Sequence, residues 1–141
     1  MTISSSVSYV RREDIRGVWA SVDHYIAEAM EDSDATYCSD KMREQLETQD
    51  ALLWVVQWDE KIVAAAISEI QFVKGQDTLI ISALGGVGFP DWIDMLERTF
   101  VRYMEELDLE KMRAYCRPGM AKWLGDREWR KVTTVMEYGQ A

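Results

Sequence analysis

A chain of 141 residues lies in the size range of one domain, and roughly two-thirds of its unfolded surface can be buried in a core without disulfide staples. At 48% hydrophobic and 29% charged residues, with six Trp, the composition excludes an intrinsically disordered chain. Sixteen basic against twenty-five acidic side chains leave a net charge of −9, which repels phosphate backbones and anionic membranes, so neither nucleic acid nor a membrane is an expected partner.

Cys38 and Cys116 stand in no C-x-x-C or Cys/His ligand spacing and read as reduced thiols of a cytoplasmic protein. Met1 to Ser8 has no basic and no long apolar segment, and no apolar stretch approaches the roughly 20 residues that span a bilayer. The expectation is a single domain over residues 1–141.

In chain order, a short strand at Val7 to Val10 precedes a long helical signal. Ile15, Val18, Trp19, Val22, Tyr25, Ile26, Ala29 and Met30 follow the i, i+3, i+4, i+7 rhythm, which predicts a helix from about Glu13 to Met30. The acidic run Glu31, Asp32, Ser33, Asp34 ends it. Ser39 is placed to cap a second helix through Met42 and Leu46 to about Glu47. The period then changes. Ala51 to Trp58 and Ile62 to Phe72 are rich in β-branched, aromatic and small apolar residues and flank Asp59-Glu60-Lys61, which predicts a hairpin. A turn at Lys74-Gly75-Gln76-Asp77 leads to a third strand, Thr78 to Leu84. The three form an antiparallel meander.

Gly85, Gly86 and Gly88 close that strand. Pro90, at the expected first helical position, opens a helix carried by Ile93, Leu96, Phe100, Met104 and Leu107. After Asp108 to Glu110 come a strand at Lys111 to Cys116, a short helix at Pro118 to Leu124 and a closing strand at Lys131 to Tyr138. The predicted class is α/β (α+β), a mixed, mostly antiparallel twisted sheet flanked by helices, in the order β-α-α-β-β-β-α-β-α-β.

That order, over nearly the whole chain, resembles the GNAT superfamily of acyl-CoA-dependent N-acyltransferases. "SYVRREDIRGVW" is similar to the family's first strand and helix, and "LLWVVQWDEKIVAAAISEI" to its central hairpin. "TLIISALGGVGFPDWIDMLERTFVRYMEEL" resembles the strand, glycine loop and helix that hold the cofactor's pyrophosphate. "YCRPGMAKWLGDREWRKVTTVMEYG" resembles the closing unit, with an R-x-G-x-x-x-x-L pattern. Short divergent members with this closing pattern occur among tailed bacteriophages, some as virion components.

The resemblance implies acetyl-CoA as cofactor. Ser82, Ala83 and Leu84 would pair by backbone with its pantetheine arm, and Gly86, Val87, Gly88 and Phe89 would surround the pyrophosphate at a helix N-terminus. It also implies a carboxylate that takes a proton from an amine and a group that protonates the leaving thiolate. For the base it points to Glu69 or Asp77, since Thr78 to Leu84 holds no Asp or Glu; for the acid, to Tyr115, Cys116 or solvent. The partner is then an amine on a small molecule or a protein, or other virion proteins if the domain is structural.

Three departures from the family pattern bear on these roles. The motif R/Q-x-x-G-x-G/A lacks its first residue, Pro90 removes an amide donor, and Asp91 and Asp94 place negative charge in the first helical turn. Trp123 and Leu124 stand where the family carries a Tyr. Each candidate also has a plainer explanation: the glycines as an ordinary turn, Glu69 as a solvent-facing strand residue, and Glu28, Glu31, Asp32 and Asp34 as a solvated helix end rather than a guide for a cationic amine. The lone His24 falls on the polar side of its helix, and most of Trp54, Trp58, Trp92, Trp123 and Trp129 read as core or core-rim anchors, with Trp58 the most exposed of them.

Overall fold

The computed structural model describes residues 5–31, 37–48, 51–115, 124–125, 127–132, 136 and 138–139. Five strands form one sheet in the order β1-β2-β3-β4-β5: β1 (Ser5–Tyr9), β2 (Leu52–Trp58), β3 (Lys61–Val73), β4 (Gln76–Gly86) and β5 (Met112–Ala114). The first three pairings are antiparallel. Only β4 and β5 run parallel.

Both hairpins turn on two residues. Asp59 and Glu60 sit at φ +54° and +67°, and Lys74 and Gly75 at +49° and +87°, the left-handed pair that matches the twist of the flanking strands. The turns are therefore shorter than the sequence suggests, and Lys61, Gln76 and Asp77 belong to strands.

Two helices cover one sheet face. Helix α1 (Ile15–Ala29) follows a 3-10 turn at Arg12–Asp14, and α2 runs over Ser39–Glu47. Ile15, Trp19, Val22, Tyr25 and Ile26 of α1 pack on Leu53, Val55, Ala65, Ile67 and Ala83. Ser39 does not cap α2. Cys38 holds the cap position with extended backbone and no side-chain cap bond, while the Ser39 hydroxyl accepts the Trp19 indole N–H at 2.9 Å and ties α2 to α1.

Helix α3 (Phe89–Glu106) covers the opposite face. Its Trp92, Ile93, Leu96 and Phe100 pack with Trp54, Val56, Ala64, Ala66, Leu79 and Ile81. Phe89, rather than Pro90, opens the helix, with Pro90 in its first turn. The run Ala64-Ala65-Ala66, at most 1% exposed, presents only methyl groups to either side and lets helices approach both faces. Trp54 packs beside Ala64 and Ala66 on the α3 face, and its N–H is satisfied by Ser68 Oγ at 2.8 Å.

The strand predicted over Lys111 to Cys116 is shorter, Met112–Ala114. Of the predicted helix at Pro118 to Leu124 only Leu124, which is buried, lies within the described residues. Of the predicted closing strand, Lys131, Val132, Met136 and Tyr138 are described, and these are exposed and in no regular element. The remainder of both segments, with Cys116 and Trp123, lies outside the described residues.

Candidate functional site

The described pairing between the two parallel strands is short. Leu79, Ile80 and Ile81 of β4 align with Met112, Arg113 and Ala114 of β5, and the last bond of the ladder runs from the Tyr115 N–H to the Ile81 carbonyl at 3.0 Å. Beyond it β4 continues for five residues, Ser82 to Gly86, with β3 alone beside it among the described strands. A register shift against Ile67 and Ser68 makes Ser82 the extra residue of a β-bulge, and the Ser82 hydroxyl donates to the Ile67 carbonyl at 3.3 Å. A bulge bends the strand and re-aims its groups. Ile81, Ser82 and Tyr115 meet at the end of the described β4–β5 pairing, with Tyr115 55% exposed.

The β4 edge leads to the mouth of α3, and its glycines serve different needs. A Cβ on Gly85 would lie 2.2 Å from the Tyr25 carbonyl oxygen of α1, and one on Gly86 2.4 Å from the Ala64 Cβ of β3. These two are required by packing. Gly88 has room, since its nearest atom would be Asp91 Oδ2 at 3.7 Å, and what selects glycine there is φ +69° at the helix N-cap. The Val87 N–H is engaged by the Val63 carbonyl at 2.8 Å and the Asp91 N–H by the Gly88 carbonyl at 3.0 Å. Pro90 has no N–H to offer. Among these donors only the Gly88 N–H has no partner among the described residues, a thinner cradle than a glycine-rich phosphate loop supplies.

The candidate acids and bases separate by position. Glu69 lies opposite Ile80 on β3, roughly 7 Å along the strand direction from the level of Ser82, and accepts a hydrogen bond from the Gln71 side-chain amide. Asp77 pairs with Phe72 near the hairpin tip, about 17 Å along β4 from Ser82. Tyr115 is at the end of the described β4–β5 pairing. The structure thus brings together Tyr115, the Ser82 to Gly88 edge and, more loosely, Glu69, and leaves Asp77 apart. Arg113, not singled out from the sequence, is the residue of β5 aligned with Ile80. Its neighbours Met112 and Ala114 pack toward α3, so strand alternation puts Arg113 on the face that carries Glu69. That alternation was its only signal in the sequence.

A second finding beyond the sequence is a clasp on α3. Arg127 donates from Nε and Nη2 to the two Glu97 carboxylate oxygens at 2.9 and 2.8 Å and lies 2.5 Å from Asp94. The Trp129 indole N–H donates to the same Glu97 carboxylate at 2.8 Å. Hydrogen bonds from Arg127, and then from Trp129, hold the Glu97 carboxyl below its ordinary value against the opposing effect of burial, and the two carboxylates hold the Arg127 guanidinium more firmly protonated. The charge of Asp94 is compensated, so Asp91 is the acid left facing the helix mouth without an ion pair among the described residues. His24 is exposed, its ring 3.9 Å from that of Tyr25. Trp54 and Trp92 are core residues, and Trp58 and Trp129 are half-buried.

No family model and no curated protein matches the sequence. Solved structures do match the fold. A predicted acetyltransferase from Clostridium acetobutylicum, solved with acetyl-CoA, superposes with TM-score 0.68 at 11% identity over 96% of each chain. An aminoglycoside N-acetyltransferase in complex with CoA gives 0.71 at 9% identity, over 99% of this chain and 97% of its own. A GNAT family acetyltransferase from Staphylococcus aureus gives 0.63 at 9% identity, over 99% and 100%. With the mixed, mostly antiparallel five-stranded sheet and the helices on both faces, this chain has the fold of the GNAT acetyltransferases.

Proposed function

We propose that the chain binds an acyl-CoA thioester in a wedge between β4 and β5 and transfers its acyl group to an amine. One observation supports this reading: the described pairing of β5 with β4 reaches Ile81, where the Tyr115 N–H bonds the Ile81 carbonyl beside a bulge. The edge from Ser82 to Gly86 is then left to pair with an extended amide-bearing ligand such as a pantetheine arm. The donor set fits that arm better than the pyrophosphate, for which Gly88 supplies a single unengaged N–H.

The thioester supplies an activated acyl carbonyl. The amine nitrogen bonds to that carbon as the carbon–sulfur bond breaks. Glu69, the nearer of the two candidate carboxylates, takes the proton from the amine, directly or through a water. Tyr115 at the end of that pairing donates its hydroxyl proton to the departing sulfur. Arg113, on the face that carries Glu69, sets a positive charge on that side of the sheet.

Calorimetric titration with acetyl-CoA tests the binding step, and release of free thiol in the presence of an amine panel tests the transfer. Saturable binding is expected, with Tyr115→Phe and Glu69→Gln each lowering kcat by at least about 100-fold. Absence of binding at millimolar acetyl-CoA would overturn the reading.

A second reading is favoured by the thin cradle and by the lack of a carboxylate on the part of β4 facing the wedge. In it the domain is a catalytically silent binding or structural module of this fold, such as a component of a phage particle with other virion proteins as partners. Binding of acetyl-CoA without turnover over a broad amine panel would select it.

A further inference from the structure

On the far side of the sheet from the β4–β5 pairing, β1 and the C-terminal half of α3 enclose an open recess of about 420 Å³ lined by Val7, Ser8, Tyr9, Arg11, Trp54, Thr99, Arg102, Tyr103 and Glu106. It is a separate place. Strand β1 lies at the opposite edge from β5, and Tyr103 lies fourteen residues along α3 from Phe89, about 21 Å by helical rise.

The floor of the recess is aromatic. The Tyr9 ring stands edge-on to Trp54 at 5.9 Å and the Tyr103 ring edge-on to Trp54 at 5.1 Å. Tyr9 is 56% exposed, unusual for an aromatic of this size against the core. The walls are rich in donors. The guanidinium groups of Arg11 and Arg102 form no ion pair or hydrogen bond with any described residue, which leaves both free to take an anion in a chain of net charge −9. The Tyr9 and Tyr103 hydroxyls have no hydrogen-bond partner among the described residues either. Burial and the neighbouring Tyr9 raise the Tyr103 hydroxyl above its ordinary value, so it stays a neutral donor. The Trp54 N–H is engaged by Ser68 and the Thr99 hydroxyl by the Met95 carbonyl at 2.8 Å. Glu106 is the one acid of the lining, on the last turn of α3.

We infer that this recess binds a small aromatic oxyanion, its ring against Tyr9, Trp54 and Tyr103 and its carboxylate or phosphate between Arg11 and Arg102. The volume suits one ring with a charged head group. Two guanidinium groups match the paired oxygens of either head, and aromatic edges meet the face of a planar ring favourably. The inference does not rest on acyl transfer, and its test stands whether or not acyl-CoA binds.

The test is titration of phenyl phosphate, benzoate and neutral benzyl alcohol into isotope-labelled protein, followed at the backbone amides of Tyr9, Thr99, Arg102 and Tyr103. Saturable shifts with an anion are expected, and the tighter of the two anions identifies the head group. Affinity is expected to fall at least about tenfold in the double variant Arg11→Ala, Arg102→Ala and to rise in Glu106→Gln, which removes the opposing charge. Both arginines are exposed and unpartnered, so an unchanged melting temperature verifies that the variant is folded. No saturation below about 10 mM, an equal response to benzyl alcohol, or an affinity unchanged in the double variant would overturn the inference.

Discussion

Replacing Gly85, Gly86 and Gly88 one at a time by Ala separates packing from backbone strain within four residues. At Gly85 the new Cβ would stand 2.2 Å from the Tyr25 carbonyl oxygen, and at Gly86 2.4 Å from the Ala64 Cβ and 2.5 Å from the Val63 carbonyl oxygen. Ordinary contact lies more than 3 Å away, so α1 or β3 must retreat by about 1 Å. Retreat of α1 also strains the bond from the Tyr25 hydroxyl to the Ile62 carbonyl, 3.2 Å long. Overpacking of this kind costs about 3 kcal/mol, which lowers Tm by about 10 °C in a domain of this length. Gly88→Ala meets no atom closer than 3.7 Å and bears only the left-handed backbone, about 1 kcal/mol, or about 4 °C. Gly88→Asn, which tolerates positive φ, costs less still. Thermal unfolding by circular dichroism gives the ranking. Equal losses at the three positions, or a wild-type Tm for Gly85→Ala, would refute the assignment of the first two glycines to packing.

Glu97, whose carboxyl is held below its ordinary value, contributes stability that is complete above the unfolded pKa and lost as pH falls through the folded one. The wild-type Tm is therefore expected to drop more than that of Glu97→Gln on acidification through the carboxylate range, and parallel pH profiles would exclude the clasp. Trp54→Phe deletes the donor to Ser68 Oγ and leaves a hydroxyl that is 1% exposed unpaired, for about 1–3 kcal/mol; adding Ser68→Ala should recover part of this in chemical denaturation. Asp91→Asn is expected to tighten acetyl-CoA binding about two- to fivefold at low ionic strength by removing a like charge at the helix mouth. An affinity unchanged by that substitution would move the phosphates away from α3.

The long helices and the central hairpin were legible because their signals are local. The apolar stripes of α1 and α3, the β-branched and aromatic runs of β2 and β3, and the polar doublet Asp59-Glu60 each express a backbone period or a turn preference that neighbouring residues decide. The site was legible only in outline. The glycines were visible, but which were needed for α1, which for β3 and which for φ depends on atoms contributed by Tyr25, Ala64 and Asp91, distant in sequence or hidden in side-chain direction.

What the sequence determined by itself is thus the order of elements as far as β5, the meander and the assignment of a strand, a glycine turn and a helix to one place in the chain. Tertiary structure alone decided that β5 pairs with β4 as far as Ile81, that Tyr115 stands at that level while Asp77 does not, and that Arg127 compensates Asp94. It also decided that Arg11 and Arg102 are left without carboxylates beside an aromatic floor. The physical reason is range: periodicity and turn chemistry act between residues a few positions apart, whereas the β4–β5 pairing and the Arg127–Glu97 ion pair join segments thirty or more residues apart whose meeting depends on the packing of the whole sheet.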